Sequence, residues 1–294
     1  AMVCGNPSAR PLLTKDEALE RLLRDCRAVP DTETVATGDA LGRVTAAPVL
    51  ASEPVPPFAN SAMDGYAVRA DDLATTPVRL RVVEDVPAGS VPTVPVRPGT
   101  ATRIMTGAPM PDGADTVVMV ELTTVAADGD VEITESVEAG AAVRDAGSDL
   151  RAGDLIVDAG VRLHARHLGS LASAVGALEV ARRPTVAVMS TGDEVVDPAT
   201  TGLRPGAIRD TNRVMLMAML EDLGVPYLDL GIVGDDLGEL RAAYLEAASG
   251  ADLIVSTGGV SMGDYDFVKQ ILGETGSVEF WQVAMQPAKP FAFG

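Results

Sequence analysis

The stretch Thr185-Val186-Ala187-Val188-Met189-Ser190-Thr191-Gly192-Asp193-Glu194 decides the fold of the last third of the chain. Its first five residues form a short apolar run with β-branched side chains, which is typical of a buried strand. Its last five are small, polar or acidic, which is typical of a loop that follows a strand. Further apolar runs lie at 227–230, 252–256 and 278–283, and helical patterns separate them at 211–223, 236–249 and 265–272. Strands that alternate with helices predict βαβ units and a mostly parallel sheet.

The segments before Pro184 have two other patterns. Residues 14–29 predict an amphipathic helix that starts with a Thr14–Glu17 capping box. Its apolar face consists of Leu19, Leu22, Leu23 and Cys26, and we expect the Cys26 thiol to be buried there. Residues 49–144 contain β-branched runs bounded by proline and glycine, with a hairpin turn at Asp128-Gly129.

Residues 147–183 return to helical patterning, with inward positions at Leu163, His167, Leu168, Leu171, Val175 and Leu178. The chain is therefore predicted to be multi-domain, α/β plus β. We expect a discontinuous helical linker domain at 11–52 and 147–183, a small all-β domain at 53–146 and an α/β domain at 184–294.

The composition excludes several classes of function. The 294 residues carry 23 basic and 42 acidic side chains, a net charge of −19, so nucleic acids and anionic membranes are poor partners. Aromatic residues make up only 3%, which argues against stacking on single strands. Two cysteines and the lack of a membrane-spanning run or secretory signal predict a cytoplasmic protein.

Three polar loops follow the predicted strands of the α/β domain. They are Ser190–Glu194, Gly231–Asp236 and Ser256–Asp264. Because parallel strands end at the same edge of a sheet, we expect these loops to converge on one ligand site.

The third loop is rich in glycine and hydroxyl groups and precedes a helix, so it is a candidate phosphate cradle, although a plain tight turn is an equal alternative. The acids Asp193, Glu194, Asp235, Asp264 and Asp266 would repel a phosphate unless a hard cation lay between them. A phosphate and several carboxylates together imply Mg²⁺. The simpler alternative is that Asp193 and Asp235 cap helices.

Other motifs carry less weight. His164 and His167 are the only histidines, and no acid is placed to complete a zinc site with them. No Walker loop, GxGxxG motif or nucleophile elbow follows a strand.

Several segments together identify a family. They are Pro56–Ala67, Arg103–Ala108, Ser190–Glu194, Asp210–Arg213, Ser256–Ser261 and Lys289–Gly294. In their order and spacing the chain resembles the molybdopterin molybdenumtransferases, the family of the gephyrin E domain, from about residue 10 to its last residue. The family inserts molybdate into adenylylated molybdopterin with Mg²⁺ and releases AMP. Its members are elongated homodimers, which makes the helical linker a dimerisation domain and places each site between the two protomers.

The resemblance assigns roles residue by residue. It implies that Asp64 and Thr106 complete the site across the dimer, and that Glu194, Asp235 and Asp266 are catalytic and hold the Mg²⁺. Substrate binding is expected at Arg144, Asp149, Ser190, Thr191, Gly192, Asp193, Ser256, Thr257, Gly258, Gly259, Ser261, Asp264 and Lys289. Implied partners are molybdopterin adenylyltransferase and the recipient molybdoenzymes.

The chain departs from the family pattern in two ways. Gln282 and Gln286 stand where many members have lysines, which leaves Lys289, and Arg209 is a hypothetical substitute for the missing charge. The chain also stops at Gly294, before a segment and a small β-barrel domain that family members have, so we expect a shortened α/β domain of uncertain activity.

Two rival functions remain open. A molybdopterin adenylyltransferase would share the α/β domain but lacks the motifs around Asp64 and Thr106. A non-catalytic scaffold that binds molybdopterin would explain Gln282 and Gln286.

Overall fold

The computed structural model describes residues 12–26, 28–258, 271, 279–285 and 290–294. The chain divides into two compact units. We call residues 32–181 the β unit, and residues 1–31 with 182–294 the α/β unit. The described residues form four α-helices: α1 (Lys15–Asp25), α2 (Ala165–Ala172), α3 (Asn212–Asp222) and α4 (Leu237–Gly250). None of the helices in these ranges is long and apolar enough to cross a bilayer.

The β unit is built from twelve short strands. They are β1 (Thr32–Ala36), β2 (Val49–Leu50), β3 (Asn60–Ser61), β4 (Gly65–Val68), β5 (Val78–Val86), β6 (Thr100–Ile104), β7 (Thr116–Met119), β8 (Thr123–Val125), β9 (Val131–Ile133), β10 (Val143–Arg144), β11 (Leu155–Val157) and β12 (Ala177–Ala181). Six of them form one sheet in the order β7-β4-β6-β5-β9-β8. All neighbours in this sheet are antiparallel except β5 and β6. The predicted hairpin is confirmed, since Asp128-Gly129 joins β8 to β9.

The six-stranded sheet is covered on both faces. Along β4, Tyr66 and Val68 pack into one apolar cluster with Leu80 and Ile133, whereas Ala67 packs into another with Ile104. Successive side chains of a strand point to opposite faces, so one strand supplies both clusters. All four residues of β4 are buried, and this central strand carries the Asp64-Gly65-Tyr66 motif.

The helical prediction for residues 147–183 is wrong over most of its length. Only α2 is helical, and β11 and β12 lie on either side of it. β11 pairs with β2 and β12 with β1, so both strands find their partners more than 100 residues away. Four of the predicted inward positions are buried: Leu163, Leu171, Val175 and Leu178. The boundaries of the three predicted domains stay a prediction.

The α/β unit is organised around a parallel sheet. Its strands are β13 (Val186–Thr191), β14 (Val195–Val196), β15 (Ile208–Arg209), β16 (Tyr227–Val233), β17 (Leu253–Thr257), β18 (Glu279–Gln282) and β19 (Pro290–Phe293). Three of them pair in parallel in the order β16-β13-β17. Every residue of β13 is buried, as expected for a central strand with both faces covered. The predicted strands and the helices α3 and α4 are confirmed here, whereas the helix predicted at 265–272 lies outside the described residues except for Ile271.

The sequence misplaced the last strand and part of the first helix. β18 pairs antiparallel with β19 rather than joining the parallel sheet. Helix α1 has the predicted capping box but ends at Asp25, and Cys26 is exposed rather than buried. Ala18 and the half-buried Leu22 pack against Val283, whereas Leu19 and Leu23 remain exposed.

We predict that Gly65→Ala destabilises the β unit by about 2–3 kcal/mol, as expected for overpacking a buried site. A Cβ on Gly65 would overlap the Val118 carbonyl oxygen and lie 2.9 Å from its carbon. Gly38→Ala is the matched control, because a Cβ there has no neighbour within 4 Å. Urea unfolding measures both, and equal midpoints for the two variants would contradict the prediction.

Candidate active site

Asp64 and Thr106 meet at one end of the six-stranded sheet. Asp64 directly precedes β4 and Thr106 follows β6, and the antiparallel register pairs Gly65 with Ile104. Asp64 Oδ1 accepts hydrogen bonds from the Thr106 hydroxyl at 2.7 Å and from the Thr106 backbone N–H at 2.8 Å. These two bonds, with the backbone one dominant, hold the pKa of Asp64 below its usual value. The exposed carboxylate is therefore ionised at neutral pH, and both bonds from Thr106 go to the same oxygen, Oδ1.

Arg144 and Asp149 lie beside residues 55–60, the stretch of chain that precedes Asp64. Arg144 is exposed on β10 and pairs in register with Asn60 of β3. The backbone N–H of Asp149 donates to the Val55 carbonyl at 2.9 Å, and its carboxylate is exposed. No hydrogen bond joins either side chain to Asp64 or Thr106 within the described ranges.

The predicted convergence of loops on one sheet edge is confirmed for the part that the structure describes. Gly192 N–H donates to the Val233 carbonyl at 3.1 Å, which joins the ends of β13 and β16. Asp235 N–H donates to Asp193 Oδ1 at 3.0 Å, and Asp193 N–H donates to Asp235 Oδ2 at 3.4 Å. We call this side of the sheet the carboxyl edge. The second loop is shorter than expected, because β16 continues to Val233.

Asp235 is not a helix cap. The side chain of Asp236 accepts from the N–H groups of Gly238 and Glu239 and caps α4. No helix starts after Asp193, which is followed by β14. The helix-capping alternative is therefore wrong for Asp193 and Asp235, and both carboxylates are exposed at the carboxyl edge.

Glycines make room for the ends of the strands. Gly192 has a φ of 130°, and a Cβ on it would lie 2.7 Å from Glu194 Oε2. Gly258 has a φ of 91°, and a Cβ on it would lie 2.7 Å from Thr191 Oγ1. Only glycine fits both positions, so the exposed Glu194 carboxylate folds back over Gly192 and β17 ends against β13.

An ion triad of two buried side chains, Arg213 and Asp210, and the exposed Asp229 lies close to the carboxyl edge. Arg213, in the first turn of α3, donates from Nε to Asp210 Oδ2 at 2.8 Å and from Nη1 to both carboxylate oxygens of Asp229 at 2.5 Å. Its side chain is 8% exposed and that of Asp210 only 2%. Burial raises the pKa of Asp210, but bonds from Arg213 and Ser190 outweigh it and hold the pKa below its usual value. The triad therefore joins α3 to β16 with Asp210 ionised.

The triad also fixes the direction of two hydroxyl groups. Ser190 Oγ donates to Asp210 Oδ1 at 2.9 Å, because an ionised carboxylate only accepts. Ser190 has no second proton, so in its 2.9 Å contact with Thr257 Oγ1 the threonine must donate. Thr191 Oγ1 donates to the Thr257 carbonyl at 3.3 Å. All three hydroxyl protons are thus used within the protein, so these hydroxyl groups do not donate to a ligand.

Several predicted site residues lie outside the described residues. They are Gly259, Ser261, Asp264, Asp266 and Lys289. Within the described ranges no group of three or more Asp, Glu, His or Cys side chains is arranged to hold a metal ion. Asp193 and Asp235 are joined by bonds from the backbone N–H of each to the carboxylate of the other.

The sequence prediction gave no role to the triad or to Arg204, which donates from Nη2 to the Asp193 carbonyl at the carboxyl edge. A signal for the triad was present, since Asp210 and Arg213 are three residues apart at the start of a predicted helix. Asp229 within an apolar run was a second signal.

The α/β unit also has a surface cavity of about 360 Å³ away from these groups. Its lining residues are all charged: Glu17, Glu20, Arg21, Arg24, Asp25 and Glu279. None of them belongs to the loops of the carboxyl edge, so the cavity is not part of the candidate site.

The chain is similar to known proteins over most of its length. Residues 13–175 match the model of the MoeA N-terminal region (domains I and II), and residues 187–294 match that of a probable molybdopterin binding domain. Molybdopterin molybdenumtransferase of Haemophilus influenzae is 39% identical over 96% of this chain and 70% of its own length. Molybdopterin molybdenumtransferase 2 of Mycobacterium tuberculosis is 39% identical over 97% of this chain and 72% of its own length. The crystal structure of a molybdopterin biosynthesis MoeA protein from Pyrococcus horikoshii superposes with a TM-score of 0.78 at 33% identity, covering 95% of this chain and 71% of that one.

We predict that Arg213→Met lowers the free energy of unfolding at pH 7 by roughly 3–5 kcal/mol, because it leaves the Asp210 charge buried and unpaired. In the wild type the lowered pKa of Asp210 stabilises the fold above the unfolded-state pKa, and this contribution is lost as pH falls through the folded-state value. The variant loses the guanidinium that lowers this pKa and keeps only the bonds from Ser190 and from the backbone N–H of residue 213, so the pKa of Asp210 lies higher than in the wild type. The destabilisation therefore shrinks as pH falls and Asp210 becomes protonated.

Urea unfolding at pH 7 and pH 5 measures the effect. Arg97→Met, at an exposed position of the β unit, is the control and should change stability by less than about 0.5 kcal/mol. A loss for Arg213→Met that is the same at both pH values would contradict the assigned ionisation of Asp210.

Proposed function

The chain belongs to the family of molybdopterin molybdenumtransferases, and from that premise we propose that it inserts molybdate into adenylylated molybdopterin and releases AMP. The observation that carries the proposal is the carboxyl edge, where exposed Asp193, Glu194 and Asp235 adjoin the glycine-rich end of β17. This arrangement suits a substrate that carries phosphate groups and a cation between phosphates and carboxylates.

Mg²⁺ is part of the proposal, and the residues present fit one of its two binding modes. A site in which protein side chains alone coordinate the Mg²⁺ is not supported, since the described residues contain no group of three metal-ligating side chains. Mg²⁺ is usually held by one or two carboxylates together with substrate phosphates and water. Glu194 and Asp235 would supply those carboxylates, and Asp266 would add a third. When bound, the ion would neutralise charge on the phosphates of the substrate.

The residues of the chain act by positioning and electrostatics. Backbone N–H groups after Thr257 would hold the phosphate, because the hydroxyl protons of Ser190, Thr191 and Thr257 are already used within the protein. Asp64, kept ionised by Thr106, would orient a donor or a cation at the reacting groups. No nucleophilic side chain is required for such a transfer, because positioning of the two reactants and electrostatic stabilisation can supply much of the rate acceleration.

The assembly and location are proposed with the activity. The proposed assembly is a homodimer, in which Asp64 and Thr106 of one protomer complete the site of its partner. The proposed location is the cytoplasm. Molybdopterin adenylyltransferase would supply the substrate, and molybdoenzymes would receive the product.

The direct test is AMP release from adenylylated molybdopterin by the purified full-length protein with Mg²⁺, with and without molybdate. We expect release that depends on molybdate and that falls about 100-fold in Asp64→Asn, because the electrostatic contribution of the carboxylate is lost. Asp158→Asn is the matched control, since Asp158 is exposed in a turn of the same unit.

Two results would overturn the proposal. Tight substrate binding without AMP release would favour a scaffold that binds molybdopterin without transforming it. Release that is independent of molybdate would remove the transferase step. Wild-type rates in Asp64→Asn would leave the transferase in place but would remove Asp64 from its site.

A further inference from the structure

The carboxyl edge lies in a segment that is poor in positive charge. Residues 184–258 contain twelve aspartates and glutamates but only four arginines and no lysine. The proposed substrate carries phosphates and the second substrate, molybdate, is an oxyanion. A segment with this balance repels both unless a particular cation lies next to the site. The position of each arginine therefore shows which of them could contact an anion at the carboxyl edge.

Three of the four arginines do not meet this need. Arg213 is buried between Asp210 and Asp229. Arg241 lies on α4, within the helix rather than at the ends of the strands. Arg209 donates from Nε to the Pro198 carbonyl at 3.0 Å and from Nη2 to the Thr200 carbonyl at 3.1 Å. The sequence-based hypothesis that Arg209 replaces the missing lysines is weakened, because these bonds hold its guanidinium against the loop 197–200.

Arg204 is the remaining arginine, and its backbone is held by a tight turn. The N–H of Ala207 donates to the Arg204 carbonyl at 3.0 Å, and Pro205 and Gly206 occupy the two central positions. Gly206 has a φ of 84°, so Pro-Gly here fits a type II turn. The Ile208 N–H donates to the Glu194 carbonyl at 2.8 Å and returns this loop to the carboxyl edge.

The side chain of Arg204 is anchored at the carboxyl edge. Its Nη2 donates to the carbonyl of Asp193, whose side chain bonds to the backbone of Asp235. A guanidinium has five N–H donors, and no second partner for this one is found among the residues that the structure describes. The residue is exposed, so its remaining donors face solvent beside the acids of the site. An anchored guanidinium with free donors is the preferred ligand of a tetrahedral oxyanion.

We propose that Arg204 binds a tetrahedral oxyanion of the substrates, either a phosphate of adenylylated molybdopterin or molybdate. This assignment rests on the proposed function and names the group that recognises the anion. Arg204 is thus a substrate-binding residue that supplies the positive charge which Gln282 does not.

The test compares Arg204→Ala with Arg183→Ala by calorimetric titration of the full-length protein with two probes, 5′-AMP and sodium molybdate. Arg183 is a matched control, because it also donates to a backbone carbonyl, that of Gly224 at 2.7 Å, but precedes β13 at the opposite sheet edge. We expect Arg204→Ala to weaken binding of at least one probe by about 10-fold or more, as loss of a charge-assisted hydrogen bond does. Arg204→Lys should recover part of the affinity, since it restores the charge without the planar fork.

Each outcome decides the assignment. Weaker binding of 5′-AMP alone identifies a phosphate site, and weaker binding of molybdate alone identifies a molybdate site. Affinities in Arg204→Ala that equal those in Arg183→Ala, or a wild-type protein that binds neither probe, would overturn the inference. Absence of molybdate-dependent AMP release in the wild type would refute the proposed function, whereas the titrations would still decide the role of Arg204.

Discussion

The arrangement of the carboxyl edge depends on one interaction, the ion triad in which buried Arg213 and Asp210 are joined by the exposed Asp229. Arg213 keeps Asp210 ionised, and Asp210 orients the Ser190 hydroxyl. Ser190 Oγ then accepts a hydrogen bond from the Thr257 hydroxyl. The ends of β13 and β17 and the start of α3 are thereby tied to one charge centre. A buried charge without its partner is expensive, so the triad forms as a whole or leaves the edge unsupported.

A second constraint is the sign of the charge. The protein carries a net charge of −19, yet the proposed substrates are anions, so attraction at long range cannot bring them in. Binding must come from short-range donors. These donors would be the backbone N–H groups after Thr257, the proposed Mg²⁺ between carboxylates and phosphates, and the anchored guanidinium of Arg204.

The sequence predicts best where structure is local. The apolar runs of β13, β16 and β17, Gly224 after α3 and Asp236 before α4 each act within a few residues, and these elements were found. Residues 147–183 were misassigned because β11 and β12 are stabilised by strands more than 100 residues away. The convergence of Asp193 with Asp235 followed from parallel strands. The direction of the hydrogen bond between Thr257 and Ser190 could not be predicted, because it depends on side chains brought together from four separate segments.

The role of the triad is tested most directly by hydrogen–deuterium exchange of the wild type and of Arg213→Lys, which keeps the charge but loses the planar guanidinium that contacts both acids. The triad predicts faster exchange at the backbone amides of 186–193 and 253–258 in the variant, with no change in the six-stranded sheet of the β unit. Unchanged exchange in both α/β segments would mean that Arg213 does not hold the carboxyl edge together, and would contradict the central claim.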